Sequence, residues 1–115
     1  MNIIDGYSLL LPDGMLDFFE IDRVDEHPLA IHIFLTEINV APIEYKQEKV
    51  ISKGFLEEIQ IQDFPLRGRQ LHLHVRRRRW LIESTNKYIT RDWGLVAQGT
   101  RMTQEFASFL KELSR

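Results

Sequence analysis

Apolar and polar residues alternate with a period of two from Ile59 to Gln62 and again from Gln70 to Val75, on either side of a break at Pro65-Leu66-Arg67-Gly68. That alternation is the signature of half-buried strands. In "EEIQIQDF", Ile59 and Ile61 fall on one face and Gln60 and Gln62 on the other. In "RQLHLHVRRRRWLIE", Leu71, Leu73 and Val75 point inward and His72, His74 and Arg76 outward. Between them, Pro fixes φ and Gly accepts a left-handed conformation, so the break predicts a turn. "STNK" predicts a second turn, and "YITRDW" returns as another strand. The result is an antiparallel meander with one apolar and one basic face. Upstream, strands are expected at 18–24 ("FFEIDRV") and 29–36 ("LAIHIFLT"), with Asp25-Glu26-His27-Pro28 as the turn between them. In the second of these, Ile31, Ile33 and Leu35 share one face, and His32, Phe34 and Thr36 the other.

The period changes at the C-terminal end. Phe106, Phe109, Leu110 and Leu113 follow i, i+3, i+4, i+7 spacing, Thr103 is a good N-cap, and Glu105 complements the helix dipole. A helix over about 102–113 is therefore expected. "LPDGMLDFF" predicts a short N-terminal helix ending near Phe19. "NVAPIEYKQEKVISKGF" reads as a loop with one helical turn. Together these elements predict a single α+β domain over 1–115: a mainly antiparallel sheet, a C-terminal helix and a short N-terminal helix. Its parts are an acidic strand pair and loop (1–49), basic antiparallel hairpins (50–101) and the terminal helix (102–115).

Composition narrows the class. A chain of 115 residues suits one domain with a modest core, and 43% hydrophobic with 28% charged residues is globular rather than disordered composition. The absence of cysteine excludes disulfides and thiolate metal sites. The N-terminus lacks a basic region, its apolar run stops at Pro12, and no stretch is long enough to cross a bilayer, so cytoplasmic residence is expected. The net charge of −2 conceals an asymmetry. Residues 1–66 carry 4 Lys/Arg against 13 Asp/Glu, whereas 67–101 carry 9 against 2. Such a division suggests a surface facing a polyanion, or two parts of one fold that attract each other.

The four consecutive arginines Arg76, Arg77, Arg78 and Arg79 sharpen that question, because none can shed its charge. On an ideal strand two of them would enter the core, so a bend or bulge is expected there. Arg67, Arg69, Lys87, Arg91 and Arg101 lie nearby in sequence. Trp80, Tyr88 and Trp93 interleave rings that can stack on bases or guanidinium planes. Nucleic-acid binding through this set is one reading; a charge-protected edge strand, paired with the acidic part, is the other. His72 and His74 form an H-x-H pair, a spacing that metal sites can use, but no third ligand lies at an obvious partner spacing, although His32 could approach across the sheet, so no metal is expected. No cofactor is expected. No phosphate-binding glycine loop or catalytic motif is present, and Asp17, Glu20 and Asp22 are scattered, so an enzyme is not expected.

Residues 50–115 nevertheless resemble a known arrangement. Asp63-Phe64-Pro65, the Gly68 turn, the alternation from Leu71 to Val75, Arg77-Arg78-Arg79-Trp80 and Thr100-Arg101-x-Thr103 before a helix look like the N-terminal region of bacterial insertion-sequence transposases of the DDE type. That resemblance covers somewhat over half the chain. It implies zinc-ribbon-like hairpins followed by a helix-turn-helix. The family's ribbon cysteines have no counterpart here, where the corresponding ground lies near Ile82 and Lys87. The resemblance thus implies a metal-free variant whose hairpins are held by Trp80, Ile82, Tyr88 and Trp93, with the terminal helix as the first of a truncated helix-turn-helix. It implies contact with double-stranded transposon-end DNA through Arg67, Arg69, Arg76, Arg77, Arg78, Arg79, Trp80, Lys87, Arg91 and Arg101, alongside a separately encoded catalytic subunit. The rival expectation is a small protein–protein module that docks through its terminal helix.

Overall fold

The computed structural model describes residues 3–91 and 102–113. Within them the chain is α+β: α1 (Ile3–Ser8), seven strands, and α2 (Gln104–Leu113), with single 3-10 turns at Met15–Asp17 and Ile43–Tyr45. The strands are β1 (Phe19–Glu26), β2 (Ala30–Glu37), β3 (Val50–Phe55), β4 (Ile59–Leu66), β5 (Arg69–Arg76), β6 (Arg78–Ile82) and β7 (Lys87–Ile89). They form a four-stranded sheet in the order β1-β2-β5-β4 and a three-stranded sheet in the order β3-β6-β7.

Alternation sets the faces of the larger sheet. β1–β2 and β4–β5 are antiparallel, but β2 and β5 are parallel, with Ile31 beside Leu71, Ile33 beside Leu73 and Leu35 beside Val75. All six are buried and, with Ile61, form the apolar face. Tyr7, Leu11, Met15 and Phe19 cover it, so the N-terminal segment serves as the second layer. Burying a side chain such as Ile33 or Leu73 stabilises the fold by roughly 1.5–3 kcal/mol. Because the side-chain period is two, the same register places His32 beside His72 and Phe34 beside His74 on the opposite face.

β5 and β6 are one run of sequence broken at Arg77. The Arg77 carbonyl accepts from the Leu56 N–H at 2.8 Å, and the chain passes there from the large sheet into the small one. The bend expected in the arginine run lies at this residue. In the small sheet Trp80 and Ile82 are buried, and the Trp80 indole N–H donates to Asn39 Oδ1 at 2.9 Å.

α2 is anchored to β4. The Thr103 N–H donates to the Gln62 carbonyl at 2.9 Å, and Thr103 Oγ1 donates to the buried Asp63 carboxylate at 2.8 Å. The same Oγ1 accepts from the Phe106 N–H at 3.2 Å, the expected N-cap bond. Phe64 packs against Phe106 and Phe109, each with ring centroids 5.3 Å away.

Several local readings change. The segment read as a loop ends in β3, whose half-exposed pattern hides it from periodicity. The short N-terminal helix expected near Phe19 is a single 3-10 turn, and α1 lies upstream of it. Asp25 and Glu26, read as turn residues, belong to β1. Tyr88, expected to pack the hairpins together, is 56% exposed, while Trp93 lies outside the described residues.

Candidate nucleic-acid interface

The four arginines do not act alike. β2 alternates inward at Ile31, Ile33 and Leu35, so its last residue, Glu37, also points inward and is 1% exposed. A buried carboxylate demands donors. It receives the Arg78 backbone N–H at 2.8 Å and Arg91 Nε at 3.0 Å. The Arg78 side chain donates to the Glu37 carbonyl at 3.2 Å and to Ser52 Oγ at 2.7 Å. Arg91 also donates to the Val40 carbonyl, and its guanidinium lies 3.9 Å from the Phe18 ring centroid. Arg78 and Arg91, expected in the DNA-contacting set, are therefore held by the acidic part of the fold. Trp80, expected there too, is 1% exposed and has no free ring face to offer a base.

The others are disposed differently. Arg76 is exposed, lies 4.3 Å from the Phe55 ring centroid and donates to Thr36 Oγ1 at 3.3 Å. Thr36 in turn donates to Asp22. Arg79 lies 4.4 Å from the Tyr88 ring centroid, and its side chain donates to the Lys53 carbonyl at 3.3 and 3.4 Å. Trp80 is paired with Ser52 and Ile89, and Leu81 with Ile51 and Tyr88. Arg79, Leu81, Ile51, Lys53 and Tyr88 thus share the face turned away from Trp80. Arg77 is half-buried at the junction, with its Nε buried and lacking a hydrogen-bond partner. Lys53 and Lys87 are exposed. Lys53 was not foreseen, because it sits on the strand read as loop.

Arg67 and Arg69 lie elsewhere. Arg67 is the first residue of the β4–β5 turn and Arg69 opens β5, at the opposite end of that strand from Arg76, roughly 23 Å away for a strand of this length. Arg69 acts electrostatically on Tyr7, whose hydroxyl donates to Glu26 and is pushed up in pKa by burial and then by that carboxylate. Arg101 lies outside the described residues.

All four histidines gather on the outer face of the large sheet. His32 is central: its Nδ1 lies 2.7 Å from His74 Nε2, its ring stacks on His72 at 5.1 Å, and His27 meets it edge-on at 5.8 Å. His74 stacks on Phe34 at 4.3 Å, and its Nδ1 is 3.5 Å from Glu58. Burial lowers the pKa of His32 and of His72, and neighbouring imidazoles lower both further, with Asp25 opposing the effect at His32. Among the described residues no group of three or more His, Asp or Glu is placed to hold a metal ion. No described helix is long and apolar enough to cross a membrane.

Compared with protein-family models, curated proteins and solved structures, the chain matches none of them.

Proposed function

We propose that this chain binds double-stranded DNA as the N-terminal region of an insertion-sequence transposase, acting in the cytoplasm alongside a separate catalytic subunit. The observation that carries the reading is the outer face of the small sheet, where Arg79, Lys53 and the ring of Tyr88 lie side by side. Arg77 precedes it at the sheet junction, whereas Lys87, paired with Ile82, alternates onto the other side of β7. A guanidinium lying on an aromatic ring has its planar orientation fixed; Arg79 directs its Nε and Nη2 edge at the Lys53 carbonyl and keeps its other N–H groups for a phosphate oxygen. Such contacts act by releasing condensed counterions, and they position the protein without reading sequence. The interface is smaller than the ten residues expected, since Arg78, Arg91 and Trp80 are structural, and Arg67 and Arg69 lie at the far end of β5.

The test is an anisotropy titration with labelled duplex DNA over a range of salt. Binding is expected to weaken steeply with salt, with a log–log slope of about −0.9 for each phosphate neutralised. Arg77→Ala with Arg79→Ala and Lys53→Ala is expected to remove most of the affinity and flatten that slope. Arg67→Ala with Arg69→Ala is expected to leave both in place. Unchanged binding by the first variant, with its circular dichroism intact, overturns the assignment.

A second reading is favoured by α2, where Phe109 and Leu113 remain 45% and 67% exposed. An apolar helix face of this kind suits docking to another protein. In that case pull-down of the partner survives high salt, and Phe109→Ser abolishes it.

A further inference from the structure

We propose that the histidine face of the large sheet is a second phosphate-contacting surface, which engages DNA with uptake of protons and so couples affinity to pH. The inference rests on the DNA-binding reading above and adds to it a surface and a mode of regulation.

The histidine face carries a cation of its own on the same strand. The outward positions of β5 run Gln70, His72, His74 and Arg76, so the imidazoles share their face with an exposed guanidinium. A phosphate path crossing Arg76 therefore continues onto the imidazoles about 7 Å further along, two residues being the strand repeat. The face also carries amides able to reach a phosphate or a base edge: Gln60, Gln62 and Gln70.

As it stands, the network is arranged for uncharged rings. One ring nitrogen of His72 lies 3.2 Å from Gln60 Nε2 and the other 3.1 Å from Gln70 Oε1, which suits a neutral imidazole that accepts on one side and donates on the other. The 2.7 Å contact between His32 and His74 likewise needs one ring to donate and one to accept. Protonating both rings would place donor against donor. A polyanion removes that conflict, because each imidazolium offers two N–H donors to phosphate oxygens.

The charged groups around the cluster set its balance. β1 supplies Arg23, over the Phe34 ring at 3.7 Å, and Asp25 opposite His32. Asp22, held by Thr36, and Glu20, paired with Thr36, lie toward the Arg76 end. Glu58, ahead of β4, reaches His74, and β5 contributes Arg76. Asp25 draws a proton toward His32, and the acids together offset a phosphate only in part. With its four rings protonated, the face is net cationic. Unprotonated, it holds Arg23 and Arg76 against four carboxylates and repels DNA. Proton uptake is thus a requirement of the contact, not a side effect.

The probe is a rhodamine-labelled duplex DNA titrated at moderate salt between about pH 8 and about pH 6, with affinity expected to rise about tenfold per pH unit for each proton taken up. Calorimetry of the unmodified protein near pH 6.5, in two buffers of different ionisation enthalpy, counts the protons directly. His32→Gln with His72→Gln is expected to flatten the pH slope and leave affinity at the alkaline end within about twofold. DNA binding without proton uptake, or a slope that survives in the histidine variants, overturns this inference alone. Absence of DNA binding at every pH overturns the reading beneath it as well.

Discussion

Glu37 and Arg91, 54 residues apart, form a buried ion pair at 3.0 Å, the carboxylate 1% and the guanidinium side chain 12% exposed. The pair joins the end of β2 to the chain after β7, and so links the acidic half of the sequence to the basic half. The Arg78 N–H completes the carboxylate's shell. Part of the charge asymmetry is therefore cancelled inside the fold. Within the arginine run, Arg76 is exposed and Arg77, Arg78 and Arg79 are half-buried.

Removing one partner should be costly, because a buried charge is left without compensation. Glu37→Ala is expected to destabilise the domain by about 3–5 kcal/mol. Glu37→Gln retains a hydrogen-bonding shape but loses the charge, and should fall between that variant and the parent. Urea denaturation followed by circular dichroism checks both; a loss below about 1 kcal/mol, the value of an exposed pair, contradicts the structural role.

Stability should also depend on pH through the histidine face. His32 and His72 have pKa values below the ordinary histidine value, through burial first and neighbouring imidazoles second. A histidine depressed in the folded state is neutral in both states above its unfolded pKa. Below that, the unfolded chain binds the proton more readily. Stability is therefore complete above about pH 6.5 and declines as pH falls through the lower folded-state values. Melting temperatures of the free protein between about pH 8 and about pH 5 should fall on acidification. His32→Gln should reduce that fall, and a rise would contradict the assignment.

Much of this was legible in the alternation of the sequence. Leu71, Leu73 and Val75 face inward, His72, His74 and Arg76 outward, and Phe106 heads the buried side of a helix capped by Thr103, all as the pattern predicts. The parallel pairing of β2 with β5 was not legible, because long-range register leaves no local mark. β3 escaped because only its first half is covered and Gly54 interrupts it. For the arginine run, the expected bend lies at Arg77, but it does not turn all four side chains to solvent as expected, since Arg78 is held by Glu37 and Ser52. Alternation did not foretell that Glu37 would meet Arg78 and Arg91, since an acid at a strand end is ordinarily solvated. Of the histidine cluster, the approach of His32 to His74 followed from the faces; the arrival of His27 from the β1–β2 turn did not.

Thr103 holds α2 to the sheet with both polarities of one hydroxyl. It accepts from the Phe106 N–H and donates to Asp63, which is 5% exposed. Thr103→Ala removes the cap, worth about 1 kcal/mol, and leaves a buried carboxylate short of a donor, worth about 1–3 kcal/mol more. Thr103→Ser keeps both bonds and should lie within about 1 kcal/mol of the parent. Proteolysis should release the C-terminal segment from the alanine variant well before the serine variant. Equal rates for the two would show that the hydroxyl is not what retains the helix.

Arg67 separates backbone geometry from charge. With Gly68 it forms the two-residue turn between β4 and β5, and both have positive φ, 49° and 82°. Turns with two left-handed residues match strand twist and favour Asn-Gly; arginine at the first position accepts steric cost from its Cβ. Arg67→Asn should raise stability by a few tenths to about 1 kcal/mol. It removes a cation that stands at the far end of β5 from Arg76, so DNA affinity at moderate salt should change by less than about twofold. A gain in denaturation midpoint with DNA binding retained is the expected pair of results. Marked loss of binding would bring the β4–β5 turn into the interface and move the contact surface to the opposite end of the strand.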